Sequence, residues 1–314
     1  MSVAFVFPGQ GSQVVGMGKA LFDALPESRA VFEEADAALG LALSRLCFEG
    51  PEAELQLTAN TQPAILAASV AALRPLAARG VRPGWVAGHS LGEYSALVAA
   101  GSLSLGDALR TVRRRGELMQ EAVPVGAGAM AAILGLDLPA VEQACREAAE
   151  GGVVAPANVN SPGQVVIAGD AAAVERASDR CRAAGAKRAV KLPVSAPFHC
   201  ALMKPAQDRL EPVLRAVRFR DPAFPLVNNV DARVVRDAEG CREGLVRQVS
   251  GAVRWQESVE RLAGEGVTTF VEVGPGTVLG GLVRKIVKGA RVLGVDSPES
   301  LEAAVAALGA GAEG

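Results

Sequence analysis

The 314-residue chain is poor in aromatic residues and carries almost no net charge. Aromatic residues make up 4% of it, and 32 Lys and Arg against 34 Asp and Glu leave a formal net charge of -2. A chain so balanced has no broad basic surface for nucleic acid or for an anionic membrane. It also lacks an uninterrupted apolar run of the roughly 18 residues that a membrane-spanning helix needs. We therefore expect neither nucleic-acid nor membrane partners, and the 50% hydrophobic content predicts a globular protein with a large core.

Cysteine and histidine are sparse as well. The five cysteines include no CxxC pair, and their odd number disfavours a disulfide framework. The N-terminal MSVAFVFPGQGSQ has no basic segment and breaks at Pro8-Gly9, unlike a secretion signal. We therefore expect reduced thiols in a cytoplasmic protein. The two histidines, His89 and His199, have no metal-ligand spacing such as HxxxH, which disfavours a catalytic metal site.

Short apolar or β-branched segments alternate with longer segments of helical period. This order is typical of an α/β fold with a mostly parallel sheet and helices on its faces. The predicted strands are residues 3–7, 84–88, 224–230, 268–274 and 290–295. The predicted helices are residues 18–39, 62–79, 91–100, 105–122, 200–216, 243–249, 254–265 and 277–288.

Residues 126–195 follow a different order. A strand (GAMAAILGL), a helix (LPAVEQACREAAEG), a hairpin-like pair (VVAPANVN and QVVIAGD), a second helix (AAVERASDRCRAAG) and a last strand (KRAVKLPV) succeed one another. The βαββαβ order predicts a ferredoxin-like unit. We therefore predict a small subdomain at 126–195, inserted into a large subdomain formed by 1–125 and 196–314. The cleft between the two is the expected ligand site.

The segment VAGHSLGEYSALVAAG contains the pentapeptide GxSxG centred on Ser90. It follows a predicted strand and opens a predicted helix, which is the context of a nucleophile elbow, and both Gly88 and Gly92 permit the tight backbone. The helix N-terminus adds N–H donors beside the serine. The alternative is a chance match in a glycine-rich loop, but the strand-turn-helix context favours a nucleophile.

A serine hydroxyl needs a base to take its proton. His89 precedes Ser90 directly, so its side chain should point away from the hydroxyl. His199, in LPVSAPFHCALMKP, follows a strand and a proline-containing turn and becomes the favoured base, although a lone histidine is more often a structural group.

Two further glycine turns follow predicted strands. In FPGQGSQ, Gly9 and Gly11 flank Gln10, and such a turn can direct backbone N–H groups at a developing oxyanion; an ordinary strand-to-helix turn explains it equally well. EVGPGTVLGG (272–281) lacks the Lys-Ser/Thr of a P-loop, which favours a packed turn over a phosphate site.

The segment TVRRRGELMQEAV places three consecutive arginines on a predicted helix. A solvated helix face accounts for two of the three, and the remaining one can face the cleft. The sequence does not indicate which of the three this is.

Taken together, these motifs resemble the malonyl-CoA:acyl carrier protein transacylase family, and the resemblance runs essentially from end to end. It rests on FPGQGSQ, TQPAI, AGHSLGEYSALVAAG, RGELMQEAV, GAMAAI, NVNSPGQVVIAG, LPVSAPFHCALMKPA, VNNVDA and VEVGPG, in the family's order and spacing. It implies an α/β-hydrolase-like large subdomain that carries a ferredoxin-like small one. It also implies transfer of a malonyl group from malonyl-CoA to the phosphopantetheine thiol of acyl carrier protein, for fatty acid synthesis, with no metal or redox cofactor.

Residue by residue, the resemblance implies that Ser90 is the acylated nucleophile of a ping-pong reaction and His199 its base. The backbone carbonyl of Gln248 would orient His199. The backbone N–H groups of Gln10 and Leu91 would be the oxyanion donors, and Gln10 would also contact the substrate. Among the three arginines, Arg115 matches the residue that binds the free malonyl carboxylate.

One departure concerns the assigned pathway. Phe198 stands before His199, where many stand-alone members of the family carry Ser and where malonyl-specific acyltransferase domains of polyketide synthases carry Phe. A trans-acting malonyl transferase for a polyketide synthase is therefore an alternative. Two others are a serine thioesterase or esterase, and a non-catalytic module that binds acyl-CoA or a carrier protein.

Overall fold

The computed structural model describes residues 2–194 and 196–309. Outside the described residues lie Met1, Ser195 and residues 310–314. Ser195 is the last residue of the predicted small subdomain, and Met1 and residues 310–314 are the two ends of the predicted large one. None of the helices in the described ranges is both long enough and apolar enough to span a membrane.

The described strands form two separate sheets. In chain order they are β1 (Ser2–Phe7), β2 (Trp85–Gly88), β3 (Gly128–Leu134), β4 (Val154–Ser161), β5 (Gln164–Asp170), β6 (Arg188–Lys191), β7 (Leu226–Val227), β8 (Val234–Val235), β9 (Val267–Val273) and β10 (Arg291–Val295).

The helices surround these sheets. They are α1 (Lys19–Ala24), α2 (Pro26–Leu39), α3 (Leu43–Glu49), α4 (Glu52–Leu55), α5 (Thr58–Ala78), α6 (Gly92–Ala99), α7 (Leu105–Glu121), α8 (Leu138–Ala148), α9 (Ala171–Ala183), α10 (Lys204–Ala216), α11 (Ala238–Gln248), α12 (Trp255–Gly264), α13 (Val278–Ile286) and α14 (Pro298–Gly309), with a 3₁₀ turn at Ala201–Met203 before α10.

The larger sheet has the strand order β10-β9-β1-β2-β7-β8 and is parallel except for the β7–β8 pair. Alternate residues of β1 point to opposite faces, as a strand requires. Phe5 and Phe7 enter one buried cluster with α2, α5 and α7, whereas Ala4 and Val6 enter another with α12 and α13. The predicted α/β class with a mostly parallel sheet is confirmed.

The smaller sheet has the order β4-β5-β3-β6, and every neighbouring pair is antiparallel. With α8 and α9 against one face, its chain order is βαββαβ, which confirms the ferredoxin-like unit. The smaller sheet contacts the segment before α12, where β4 exchanges backbone hydrogen bonds with Val253.

Several element boundaries differ from the sequence predictions. The single helix predicted at 18–39 is two helices, because Pro26 disfavours helical backbone at Leu25, which is extended at φ -129° and ψ 123°. The helix predicted at 243–249 starts earlier, at Ala238, where the Asp237 carboxylate accepts a hydrogen bond from the Gly240 N–H as an N-cap.

Other differences concern short or unpredicted elements. The strand predicted at 224–230 pairs only over Leu226–Val227 and then turns, because the polar residues that follow bond to other groups. The helix predicted at 62–79 begins at Thr58, and α3, α4 and α14 were not among the predicted helices. None of these differences changes the α/β class.

The parallel pairing of β1 with β2 determines where the site forms. Phe7 lies opposite Gly88 at the carboxyl ends of the two strands. The turn that contains Gln10 and the turn that contains Ser90 therefore leave the sheet side by side, at the edge where α/β folds bind their ligands.

Candidate active site

Ser90 lies on a tight turn between β2 and α6, as the GxSxG context predicts. Its φ is +52°, an uncommon value for a residue other than glycine. The flanking glycines are required by close packing: a Cβ on Gly88 would overlap the Gly92 carbonyl, and one on Gly92 would overlap the carbonyl of Phe7. The turn thus presents the serine hydroxyl at the end of the sheet, in the geometry of a nucleophile elbow.

The Ser90 hydroxyl is hydrogen-bonded to His199. Ser90 Oγ and His199 Nε2 are 2.7 Å apart, although the residues are 109 positions apart in the chain. On the other side of the ring, Nδ1 lies 2.9 Å from the Gln248 carbonyl oxygen and 3.2 Å from that of Gly251. Carbonyl oxygens only accept, so we assign the ring proton to Nδ1, which leaves Nε2 free to accept the serine proton.

His199 is 5% exposed and is held neutral. Burial, with the nearby Arg115 charge as the next cause, lowers the pKa of His199 to about 3. A lowered pKa means that the ring stays unprotonated as pH falls below the ordinary histidine range. At neutral pH the ring is therefore in the form that can act as a base.

His89 takes a different position and has no hydrogen bond with the Ser90 hydroxyl among the described contacts. Its Nε2 lies 2.8 Å from Asn160 Oδ1, and its ring packs on Trp255 with the centroids 5.7 Å apart. Burial lowers its pKa as well. The structure therefore pairs only one of the two histidines with the serine.

A side chain that the sequence interpretation missed holds the elbow in place. Asn229, on the turn after β7, accepts a hydrogen bond from the Ser90 N–H through Oδ1 at 2.7 Å. Its Nδ2 donates to the Gly88 carbonyl, also at 2.7 Å. The segment VNNVDA contains Asn229, but its distance of 139 positions from Ser90 hid this contact from sequence analysis.

The turn around Gln10 packs directly against the elbow. A Cβ on Gly9 would overlap the carbonyl of His89, so the two backbones touch. Within the described ranges, neither the Gln10 N–H nor the Leu91 N–H donates to a protein acceptor. The Gln10 side chain is turned toward α5, where Nε2 donates to Thr58 Oγ1 at 3.2 Å. Two unpaired amides thus lie on adjoining turns beside the serine, one of them at the N-terminus of α6.

Arg115 is the arginine that faces the cleft. It is 1% exposed, and its Nη2 donates to Ser90 Oγ at 3.1 Å and to Gln248 Oε1 at 3.0 Å. Its Nη1 donates to Gln62 Oε1 at 2.8 Å. Arg113 and Arg114 instead form partly exposed ion pairs with Glu117, as expected for a solvated face.

These groups line a cavity of about 120 Å³ between the two sheets. One wall comes from the larger sheet and its helices; the other comes from β3, β4 and the segment after β6. The lining residues are Gln10, Gln62, His89, Ser90, Arg115, Met119, Met130, Asn158, Leu192, Val194, Phe198 and His199. The polar groups converge at one end of a mostly apolar cleft, which suits a small acyl group with one polar end.

The turn EVGPG has no space for a phosphate at its helix. Glu272 accepts hydrogen bonds from the backbone N–H groups of Leu279 and Gly280, at 3.0 and 2.7 Å, at the N-terminus of α13. A carboxylate of the chain therefore occupies the anion position. In the described residues there is also no cluster of three or more His, Cys, Asp or Glu side chains that could hold a metal ion.

The sequence and structure were compared with known proteins. The model of the acyl transferase domain family matches residues 4–306. The malonyl CoA-acyl carrier protein transacylase of Escherichia coli strain K12 is 53% identical over 303 residues, which cover 96% of this chain and 98% of the relative. The protein of the same name from Bacillus subtilis strain 168 is 50% identical over 307 residues, covering 98% and 97%.

A solved structure is equally similar. It is a malonyl-transacylase in complex with its type II PKS acyl-carrier protein, with a TM-score of 0.96 and 52% identity, and the match covers 98% of this chain and 100% of that one. With matches of this extent in sequence and in structure, the chain belongs to the acyl transferase family, among the malonyl CoA-acyl carrier protein transacylases.

Proposed function

We propose that the protein transfers a malonyl group from malonyl-CoA to the phosphopantetheine thiol of an acyl carrier protein through a malonyl ester of Ser90. The observation that carries this proposal is that an imidazole and a guanidinium both contact the Ser90 hydroxyl. Ser90 Oγ contacts His199 Nε2 at 2.7 Å and Arg115 Nη2 at 3.1 Å inside the cleft. Malonyl transfer requires a nucleophile, a base and a cation that binds the free carboxylate of the malonyl group.

In the first half-reaction, Ser90 Oγ attacks the thioester carbonyl while His199 Nε2 takes its proton. The Nδ1–H remains bonded to the carbonyls of Gln248 and Gly251, which stabilise the imidazolium. The negative charge on the carbonyl oxygen faces the unpaired backbone N–H groups of Gln10 and Leu91. Collapse of the intermediate breaks the C–S bond, and His199 returns the proton to the leaving CoA thiolate.

The second half-reaction follows the same path in the opposite direction. The phosphopantetheine thiol gives its proton to His199 and attacks the ester carbonyl. Ser90 leaves and regains the proton from His199, which restores the free enzyme. Each half exchanges one acyl bond for another, so the reaction needs neither a metal nor a redox cofactor.

Arg115 supplies the preference for malonyl. Its planar guanidinium can bind the free carboxylate in two parallel hydrogen bonds. The present partners of its Nη atoms are a hydroxyl and two amide oxygens, so none of its described hydrogen bonds is to a charged group. An acetyl group would not provide a charged partner.

The pathway and location complete the proposal. We propose an acyl carrier protein of fatty acid synthesis as the acceptor, in the cytoplasm, where the five free and buried cysteines would stay reduced. A polyketide carrier is the second candidate, because a structural neighbour is described in complex with a type II PKS carrier protein and because Phe198 lines the cleft. We also propose that residues 1–125 and 196–314 form the large subdomain and that residues 126–195 form the small one.

The fate of the acyl-enzyme separates the transferase from a thioesterase or esterase. Malonyl-Ser90 enzyme, freed of CoA, is expected to pass its acyl group to a holo carrier protein much faster than to water, because the small cleft is mostly apolar. Intact-protein mass spectrometry follows the loss of the adduct with carriers of fatty acid and polyketide origin, and with buffer alone as the control. Loss to buffer as fast as loss to either carrier would support a hydrolase instead.

A further inference from the structure

Glu93 is a fully buried carboxylate in the first turn of α6, three positions after Ser90. Its Oε2 accepts hydrogen bonds from the Asn229 backbone N–H and from Gln248 Nε2, both at 2.9 Å. Its Oε1 has no hydrogen-bond partner in the described part of the chain. The motif GHSLGE includes Glu93, but the sequence analysis assigned it no role.

The side chain of Gln248 connects Glu93 to the site. Its Nε2 donates to Glu93 and to the Ser90 carbonyl, the latter at 3.0 Å. Its Oε1 accepts from Arg115 Nη2, and its backbone carbonyl accepts from His199. A single neutral amide therefore bridges a buried carboxylate and a buried guanidinium, while the same residue orients the base.

Arg115 needs a nearby negative charge. A buried cation is costly unless it is paired, and the described hydrogen-bond partners of Arg115 are all uncharged. Its Nε is also buried without a partner. Glu93 is the carboxylate that hydrogen bonds connect to Arg115, through the side-chain amide of Gln248.

We propose, on the basis of the function proposed above, that Glu93 is a positioning residue for malonyl transfer. Through Gln248 its carboxylate holds Arg115 beside Ser90 and provides the charge that balances Arg115 until the malonyl carboxylate arrives. The malonyl carboxylate and ionised Glu93 then compete for one cation. Malonyl binding is therefore coupled to the protonation of Glu93.

This coupling gives the reaction a pH dependence. Burial raises the pKa of Glu93 to about 7, against the lowering effects of Asn229, Gln248 and Arg115. The carboxyl is protonated below that pH and becomes charged above it. Malonyl binding should thus weaken as pH rises from about 6 to 8.5, whereas acetyl, with no carboxylate, is indifferent to this change.

The other groups around Glu93 keep their charge state over this range. Burial raises the pKa of Tyr94, also on α6. Burial also raises the pKa of Cys241, on α11, to about 12. The hydrogen bond with Arg247 on α11 lowers the pKa of Asp231 and raises that of Arg247. Arg115 on α7 stays charged, because a guanidinium does not titrate near neutral pH.

The test measures steady-state kcat and KM for malonyl-CoA and acetyl-CoA at pH 6 to 8.5. Both substrates contain CoA, so the protonation of groups on CoA affects both kcat/KM values equally and cancels in their ratio. In the wild type this malonyl-to-acetyl ratio should fall about fivefold or more as pH rises. In Glu93→Gln the ratio should not change with pH, and kcat for both substrates should fall about tenfold, because the hydrogen bond that holds Gln248 no longer has a charged acceptor.

Glu272→Gln is the matched control. Glu272 is another buried carboxylate that accepts two hydrogen bonds near the start of a helix, far from Ser90 in the sequence. It should lower the thermal unfolding midpoint and keep the wild-type ratio and its pH profile. A Glu93→Gln enzyme that behaves like this control would overturn the proposal.

The wild-type profile decides the question if Glu93→Gln does not fold. A flat malonyl-to-acetyl ratio in a wild-type enzyme that forms the malonyl adduct would overturn the role of Glu93 and leave the proposed function intact. A wild-type enzyme that forms no malonyl adduct would overturn both.

Discussion

His199→Asn is expected to slow formation of the malonyl-enzyme by about 10²- to 10⁴-fold, the usual contribution of a general base. His199 Nε2 is the acceptor at 2.7 Å from Ser90 Oγ, and the described residues place no second base on that hydroxyl. Asparagine is suited to the position because His199 has φ +59°, a conformation that asparagine adopts more readily than most residues. The measurement is the pre-steady-state rate of adduct formation with malonyl-CoA.

The other histidine provides the control. His89→Asn removes a ring that hydrogen-bonds to Asn160 and packs on Trp255, and whose described hydrogen bonds do not include the Ser90 hydroxyl. We expect less than about a tenfold loss of acylation rate, the effect of one neutral hydrogen bond. Equal losses in the two variants would contradict the assignment of His199 as the base.

Arg115→Ala is expected to weaken the preference for malonyl over acetyl. Two unit charges about 4 Å apart are worth about 4 kcal/mol at an effective dielectric of 20, before desolvation is subtracted. The malonyl-to-acetyl ratio of kcat/KM should therefore fall by about a hundredfold or more. Acetyl transfer will also lose some rate, because Gln62 and Gln248 lose the donor that orders them. The ratio, measured by competition between the two CoA esters, isolates the effect on the carboxylate.

Arg114→Ala is the control for the arginine. It lies on the same helix, its side chain is 39% exposed, and it pairs with Glu117 at the surface. It should leave the ratio unchanged. Arg115→Lys should fall between the wild type and Arg115→Ala, because lysine keeps the charge and loses the planar fork. If Arg115→Ala kept the wild-type ratio, the carboxylate site would have to lie elsewhere in the cleft.

The parts of the site that the sequence predicted are those with local signatures. The elbow at Ser90 depends on two glycines and on the strand and helix beside it, all within a few positions. With only two histidines in the chain, and His89 adjacent to the serine, the choice of His199 as partner followed by elimination. The positions of the three arginines on a helix do not indicate which of them faces the cleft. Only the resemblance to the family singled out Arg115.

The parts that the sequence did not predict depend on long-range packing. The side chains of Asn229 and Gln248 contact Ser90 from 139 and 158 positions away, and the packing of separate elements decides these contacts. For Gln248, the resemblance implied only the role of its backbone carbonyl. Glu93 fits the predicted helix as a residue with good helix propensity, so its sequence context gives no sign of a role in the site. That role depends on its hydrogen bond with Gln248 on α11, which is 155 positions away. In the fold, the βαββαβ order was predicted because it can be seen along the chain. The break at Leu25 was not predicted, although the proline that follows it is a local signal for such a break.

The most direct test of the proposed function is intact-protein mass spectrometry after brief incubation with malonyl-CoA, with acetyl-CoA and Ser90→Ala as parallel samples. The predicted result is a malonyl adduct on the wild type that exceeds the acetyl adduct, is absent from Ser90→Ala, and is removed by a holo acyl carrier protein. A wild-type protein that binds malonyl-CoA and forms no adduct, or an adduct that persists in Ser90→Ala, would contradict acyl transfer through Ser90.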